Sequence, residues 1–401
     1  MTVSRRTFVT KTLLAGAAGA CWLGWDRSRA IGREAAPAAA DPKALIAKGA
    51  AFLRSRQGPD GNWSPDMREP GITALVVAAL LRSGQATPAD PAIAKGLAYL
   101  ESNLDPEQGG MKSRVGVYST AVALMAFQEA NKPPGKYDAI IKGCQDYLRA
   151  AQFDDGEGKA PADPQYGGLG YGTGGRSRPD LSNTSFMIEA LHDSGVPADD
   201  PALQKALIFV SRCQNLDSEF NDQAWAKKVN DGGFIYTSGP AAPPPGQAGR
   251  GREAEAAKTR EEDAKARAAL DGGIPSTAGM TYSGLKSMLY AGLTPEDPRV
   301  KAALGFISKN YTLDLNPGGG DRGLYYYYLM FARALAALNQ DTITDAEGKA
   351  HDWRADLVAA LARRQESTGA WVNPDDRVME GDPNIVTAYC LMALTAASKK
   401  P

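Results

Sequence analysis

One phrase returns six times along this chain: a helical stretch, a glycine-rich turn that often closes on an aromatic residue, then a second, more apolar helical stretch. The first copy runs Lys48-Gly49-Ala50-Ala51-Phe52-Leu53, then Gln57, Gly61, Asn62 and Trp63, and enters the run Ile72 to Leu81. The second carries Lys95-Gly96, Tyr99-Leu100 and Gly109-Gly110 before Tyr118 to Phe127. The third carries Lys142-Gly143, Tyr147-Leu148 and Gln152 before Ser182 to Leu191. Later copies hold Gln214 and Gly232-Gly233-Phe234 before Gly279 to Leu289, then Gly318-Gly319-Gly320 before Leu324 to Leu338. The last holds Gln365, Gly369 and Trp371 before Ile385 to Leu394. Such a period fixes architecture before any single residue does, because each unit buries its apolar face only against its neighbours.

The two kinds of stretch differ in pattern. In the first outer stretch Leu45, Gly49, Phe52 and Leu53 recur at three- and four-residue steps, while Lys48, Arg54 and Arg56 lie elsewhere, a one-face helix. The second stretches are apolar nearly all round, as in Ile72-Thr73-Ala74-Leu75-Val76-Val77-Ala78-Ala79-Leu80-Leu81, so they belong inside. Six inner helices enclosed by six outer ones bury both patterns. The expected fold class is all-α, an (α/α)6 toroid or barrel of six helical hairpins.

The N-terminus reads Ser4-Arg5-Arg6-Thr7-Phe8-Val9, then a mildly apolar segment from Thr12 to Trp25 and Ala-rich sequence ending at Ala38-Ala39-Ala40. This resembles a twin-arginine signal peptide, so residues 1–40 are expected to be signal and linker and residues 41–401 one toroid domain, exported to the periplasm. An uncleaved or lipidated N-terminus, with Cys21 in a poor lipoprotein box, would instead hold the chain at a membrane. The apolar segment is too short and too rich in Gly and Ala for a stable span after processing. Removing residues 1–40 takes away six basic and two acidic side chains and moves the formal charge from −1 to −5. No basic stripe points to nucleic acid or an anionic membrane. Cys144, Cys213 and Cys390 are scattered through helix-forming text, which suits core packing rather than a disulfide framework. An insertion at 238–269 interrupts repeat four. Its Pro240 to Gly246 part cannot hold a helix, its Glu253 to Ala268 part suits a solvated one, and the insertion is either a decorating loop or a lid or docking arm for a protein partner.

The residues Lys48, Gly49, Phe52, Leu53, Gln57, Gly61 and Trp63, with Gln365, Gly369 and Trp371 in the last copy, resemble the QW repeats of the squalene cyclase and protein prenyltransferase superfamily. The resemblance spans roughly residues 43–397 and implies the toroid more firmly than any activity. Class II cyclases of that superfamily open an inner helix with Asp-x-Asp-Asp-Thr, whose middle Asp is the general acid. The matching text is Asp180-Leu181-Ser182-Asn183-Thr184, so the acid position is Ser182, and a hydroxyl is far too weak to protonate an alkene. Zinc prenyl transfer is disfavoured too, since His192 and His351 are the only histidines and neither opens an inner helix. The sequence calls for no metal and no cofactor.

Candidate residues follow from what the ring interior would present. Asp180, Asp321 and Asp376 are the candidate catalytic carboxylates; Asp375, Glu380 and Asp382 share the last rim loop with Asp376. Acid and base chemistry, or compensation of helix N-terminal charge, accounts for them. Asp180 is equally good capping sequence. Tyr171, Ser182, Asn183, Tyr282, Tyr325, Tyr328 and Trp371 are the candidate ligand contacts. In the run Tyr325 to Tyr328, the first and last share a helix face, and at least one ring should look inward, lining an isoprenoid pocket or filling the interior. Three readings result: a binder of an apolar isoprenoid-type ligand with catalysis open, a non-catalytic protein-interaction scaffold, and a carbohydrate-active (α/α)6 enzyme with Asp180, Asp321, Tyr171 and Trp371 in its cleft.

Overall fold

Acidic caps and prolines start the helices. Asp41, Asp200 and Asp297 accept hydrogen bonds from backbone N–H groups two residues on, and Pro42, Pro201 and Pro298 fill the first turn, where a missing N–H costs nothing. The computed structural model describes residues 40–172, 178–238 and 271–399, which belong to one compact unit. The twin-arginine segment, nearly all of the 238–269 insertion, and residues 173–177 of the glycine-rich connection lie outside the described residues.

Six outer helices, α1 (Pro42–Ser55), α3 (Pro91–Ser102), α5 (Asp138–Ala150), α7 (Pro201–Arg212), α10 (Pro298–Lys309) and α12 (Trp353–Ala362), alternate with six inner ones. The inner set is α2 (Pro70–Arg82), α4 (Gly116–Ala130), α6 (Leu181–Asp193), α9 (Ala278–Tyr290), α11 (Leu324–Leu338) and α13 (Pro383–Ser398). Each inner helix packs on the next, and α13 packs on both α2 and α1, so the ring closes. The fold is the all-helical (α/α)6 toroid that the repeats imply. A short α8 (Ala224–Val229) and an antiparallel hairpin, β1 (Thr342–Thr344) with β2 (Ala350–Asp352), are additions to it. Cys144, Cys213 and Cys390 are free and buried.

The repeated residues are joints between repeats. The amide of Gln57 donates to Gly61 O at 3.0 Å and to Ala92 O, at the start of the next outer helix, at 2.7 Å. Gln152 and Gln214 make the same pair of bonds, to Gly167 O and Ala202 O and to Gly232 O and Arg299 O. Gln365 bonds Gly369 O and then Leu45 O, so the same clasp joins repeat six to repeat one. Trp63 and Trp371 are fully buried, and each donates its indole N–H to a carbonyl ten residues back, Leu53 O and Leu361 O. Trp371 is therefore wall, not cavity lining. A threonine in the first turn of five inner helices, Thr73, Thr120, Thr184, Thr281 and Thr387, accepts from the turn that precedes its helix. Thr184 thus belongs to the repeat, and its match to the cyclase segment carries no catalytic information.

At the end where the inner helices finish, charges close the ring. Arg82 reaches Glu129 at 3.1 Å, Glu189 at 3.2 Å and Asp193 at 2.6 Å. Arg333 reaches Glu189 at 2.8 Å and Asp193 at 3.0 Å. Lys286, with no exposed surface, lies 2.5 Å from Glu189. Burial pushes the Glu189 carboxyl up, but Arg333, Lys286 and Arg82 outweigh it and hold it at about 2. Five of the six inner helices, α2, α4, α6, α9 and α11, share this floor.

Substitutions at the turns and in the floor should differ in cost. Gly84 sits at φ +66° in open space, where an added methyl would touch nothing, so Gly84→Ala should cost about 1 kcal/mol of backbone strain. Gly61→Ala, at φ +92° with Lys95 O 2.5 Å from the new carbon, should cost about 3 kcal/mol in urea unfolding. Glu189→Gln strands Lys286 and should cost about 3–5 kcal/mol, most of it recovered in the Glu189→Leu, Lys286→Met double variant. Because the folded carboxyl is depressed, its stabilisation is complete above the unfolded value near 4.5 and disappears as pH falls through about 2, a shoulder absent from the double variant's acid titration.

Candidate functional site

The described parts of the loops that lead from outer to inner helices lie at the other end of the ring, where the inner helices start. Asp180 is the N-cap of α6 and is 3% exposed. Its Oδ1 accepts from Asn183 N at 2.8 Å and its Oδ2 from Asn183 Nδ2 at 2.7 Å. Burial raises the carboxyl to about 7, against the bonds from Asn183 and the Tyr236 hydroxyl that favour the charged form. The Tyr236 hydroxyl lies 3.3 Å from the Tyr171 hydroxyl, and its single proton serves either Asp180 or Tyr171. Backbone bonds hold both tyrosines across helix starts: Val117 N donates to Tyr171 O and Leu181 N to Tyr236 O.

Tyr171 and Tyr236 flank the mouth of the ring beside Asp180. Each keeps 43% of its surface exposed, yet burial, with Asp180 second, pushes both phenols well up. Both rings are accessible at the end of the ring where Asp180 caps α6. Below them four rings form a circuit about the axis. Tyr118 meets Phe186 edge-on at 5.2 Å, Phe186 meets Tyr326 at 6.3 Å, and Tyr326 meets Tyr389 at 6.3 Å. The hydroxyls of Tyr389 and Tyr118, 3.5 Å apart, complete it. Burial raises Tyr118 to about 12, so this girdle is uncharged at neutral pH. Tyr326 also exchanges a hydrogen bond with Ser283 at 3.1 Å, and Ser182, half-buried, bonds the same phenol. Lys286 lies 5.7 Å beneath the Phe186 ring, so the charged floor begins directly under the aromatic layer.

The structure brings together Asp180, Ser182, Asn183 and Tyr171 from the sequence candidates. It gives the axis to Tyr326 rather than to Tyr325 or Tyr328. Tyr328 is buried in the wall with its hydroxyl on Leu313 O and Arg364 over its ring, and Tyr325 packs edge-on against it. Tyr282 is buried among Tyr327 and Phe331, again in the wall. Asp321 and Tyr325 line a separate recess of about 550 Å³ on the rim between repeats five and six, with Asp314, Arg364, Asn373 and Asp375. Its lining of carboxylates around a guanidinium differs from the aromatic recess at Asp180. Asp376 is exposed on the loop before α13. Glu380, fully buried, accepts from Tyr326 N at 2.6 Å and caps α11, and Asp382 caps α13. Tyr118, Tyr236, Phe186 and Tyr389 are site residues that sequence reasoning missed; their only signal was an aromatic in the first turns of an inner helix, or before one. Among the described residues no group of three or more His, Cys, Asp or Glu is placed to hold a metal ion.

No family model and no curated protein matches the chain. Among solved structures, the type II terpene cyclase MstE from Scytonema aligns over 89% of this chain and 98% of that one, with a TM-score of 0.51 and 12% identity. A variant of that cyclase in complex with geranylgeranyl dihydroxybenzoate aligns over 89% and 97% at 14% identity with a TM-score of 0.34, too low to add to the comparison. At this identity the likeness establishes architecture alone. This chain is a divergent bearer of the (α/α)6 toroid fold of the type II terpene cyclases.

Proposed function

We propose that the ring is an exported receptor for one apolar, isoprenoid-type molecule, seated in the mouth against the four aromatic rings. The observation that carries this is the closed circuit Tyr118, Phe186, Tyr326 and Tyr389 beneath the accessible Tyr171 and Tyr236: an apolar, uncharged surface at the bottom of a polar-rimmed recess. A fold shared with a terpene cyclase supports the ligand class. Export rests on Ser4-Arg5-Arg6-Thr7-Phe8-Val9 and the apolar segment after it. Among the described residues no helix is long and apolar enough to cross a membrane.

Cyclisation is not part of the proposal. Ser182 occupies the acid position, and the Asp180 carboxyl is engaged by Asn183 N and Asn183 Nδ2, bonds that hold it as an acceptor. A protein-docking reading draws on a different fact. Of seven exposed large apolar side chains among the described residues, six (Met67, Tyr171, Tyr236, Leu315, Val378 and Met379) lie on the connections at this same rim.

Two experiments separate these readings. Ser182→Phe places a ring in the recess and should weaken binding of the neutral fluorescent probe phenylnaphthylamine at least about tenfold, the loss of a buried aromatic contact, without lowering Tm. Indifference of the probe to Ser182→Phe would favour docking. Since Asp180 is neutral below about 7 and charged above it, and an apolar occupant shuts water away from that charge, probe affinity should fall as pH rises through about 7. Asp180→Asn should remove this dependence in a fluorescence titration.

A further inference from the structure

The polar corner of the recess carries one group that the fold leaves unfinished. Asn183 is 1% exposed. Its backbone N–H and one proton of its side-chain Nδ2 go to Asp180, at 2.8 and 2.7 Å. Its Oδ1 is buried and has no hydrogen-bond donor among the described residues. A buried acceptor without a donor is unfavourable, and such groups are rare in folded proteins unless water or a ligand completes them. The same amide hydrogen-bonds the Tyr171 phenol, whose ring is accessible from the mouth. When Tyr236 gives its proton to Tyr171 rather than to Asp180, the Tyr171 proton is left for an oxygen arriving from outside.

We infer that the mouth selects a ligand with a neutral, hydrogen-bond-donating head, the hydroxyl of an isoprenoid alcohol being the simplest, which donates to Asn183 Oδ1 and accepts from Tyr171. This deepens the receptor reading and rests on it. A hydroxyl is both donor and acceptor, so one group meets both needs. An ether or hydrocarbon end brings no donor and leaves Oδ1 unpaired. A diphosphate brings no donor when ionised and places its charge against an amide oxygen and the Asp180 carboxyl. The cations of the interior cannot compensate, because Arg82, Lys286 and Arg333 lie on the floor below Phe186, each paired with Glu129, Glu189 or Asp193.

Register shows how to remove the acceptor with the fold intact. Asn183 immediately precedes the repeat threonine Thr184, and the corresponding residues before Thr73 and Thr387 are Ile72 and Val386, both buried. An aliphatic side chain therefore fits this register in two other repeats.

The test is a binding series on the full chain, with geranylgeraniol, its methyl ether and geranylgeranyl diphosphate followed by intrinsic tyrosine fluorescence. The alcohol should bind about tenfold more tightly than the ether, the diphosphate should bind more weakly than both, and Asn183→Val should bring alcohol and ether together. Alcohol and ether of equal affinity on the unaltered chain would mean that water alone completes Oδ1 and would overturn the inference. So would a diphosphate that binds best, or a tenfold gap that survives Asn183→Val. In each of those cases the recess still holds an isoprenoid and the receptor reading stands. Failure of all three probes to bind would overturn the receptor reading itself and the head-group inference with it.

Discussion

Helices that are apolar on almost every side cannot be laid out in a row, because the two at the ends would each leave a flank in water. Closing the row into a ring removes both ends, and the rest of this structure depends on that closure. It is made by α1 and α13, the first and last helices, through contacts that repeat the internal ones. Gln365 clasps Leu45 O as Gln57 clasps Ala92 O. Gly49 leaves no room for a Cβ beside the side chains of Trp371, Leu391 and Thr387, so those side chains pack directly on the backbone of α1. An identical clasp at an internal joint and at the closing joint means that no repeat is an end, and the burial of all six inner helices is shared.

A ring of six helices has an axis, and what the inner helices place there is set by position along each helix. Residues nine beyond the repeat threonine include Arg82, Glu129 and Asp193, which become a paired ionic floor. Residues near the helix starts are aromatic or small and polar, and become the girdle and the recess. The floor holds mutually compensating charges in low dielectric, where each partner is required by the others. The mouth is the opposite case, an uncompensated carboxyl and an unpaired amide oxygen beside uncharged rings. Compensated charge is concentrated at one end of the axis and unmet hydrogen-bonding capacity at the other, and that asymmetry is the physical content of the functional proposal.

Much of the fold was legible because periodicity reports burial. The inner runs read from sequence, such as Ile72 to Leu81 and Ser182 to Leu191, fall within α2 and α6. The glutamine, glycine and tryptophan positions marked the joints because only those residues make the clasp, the positive φ and the filled wall. Phase was less legible. A helical wheel says that Tyr325 and Tyr328 share a face but not which face meets the axis, and packing of α11 on α9, α12 and α13 turned Tyr326 inward. The carboxylates before α11 and α13 resemble a catalytic rim in sequence, yet Glu380 and Asp382 cap helices, because a helix start demands acceptors wherever it is. The ionic floor escapes a search for catalytic motifs although its signal is present: Glu189, Lys286 and Arg333 stand inside otherwise apolar stretches, and charges in such places are paired when they are tolerated at all. Among the described residues, α8 and the β1–β2 hairpin are additions that lie between repeat elements and answer to no period.

Whether the mouth holds a ligand decides between a receptor and a scaffold. Native mass spectrometry of the chain isolated from its own cells, paired with organic extraction, asks this without choosing a probe. A receptor should carry one apolar molecule per chain, bearing a hydroxyl or another neutral donor and released by solvent. A chain that flies at its polypeptide mass alone, or only in complex with another protein, would contradict the receptor.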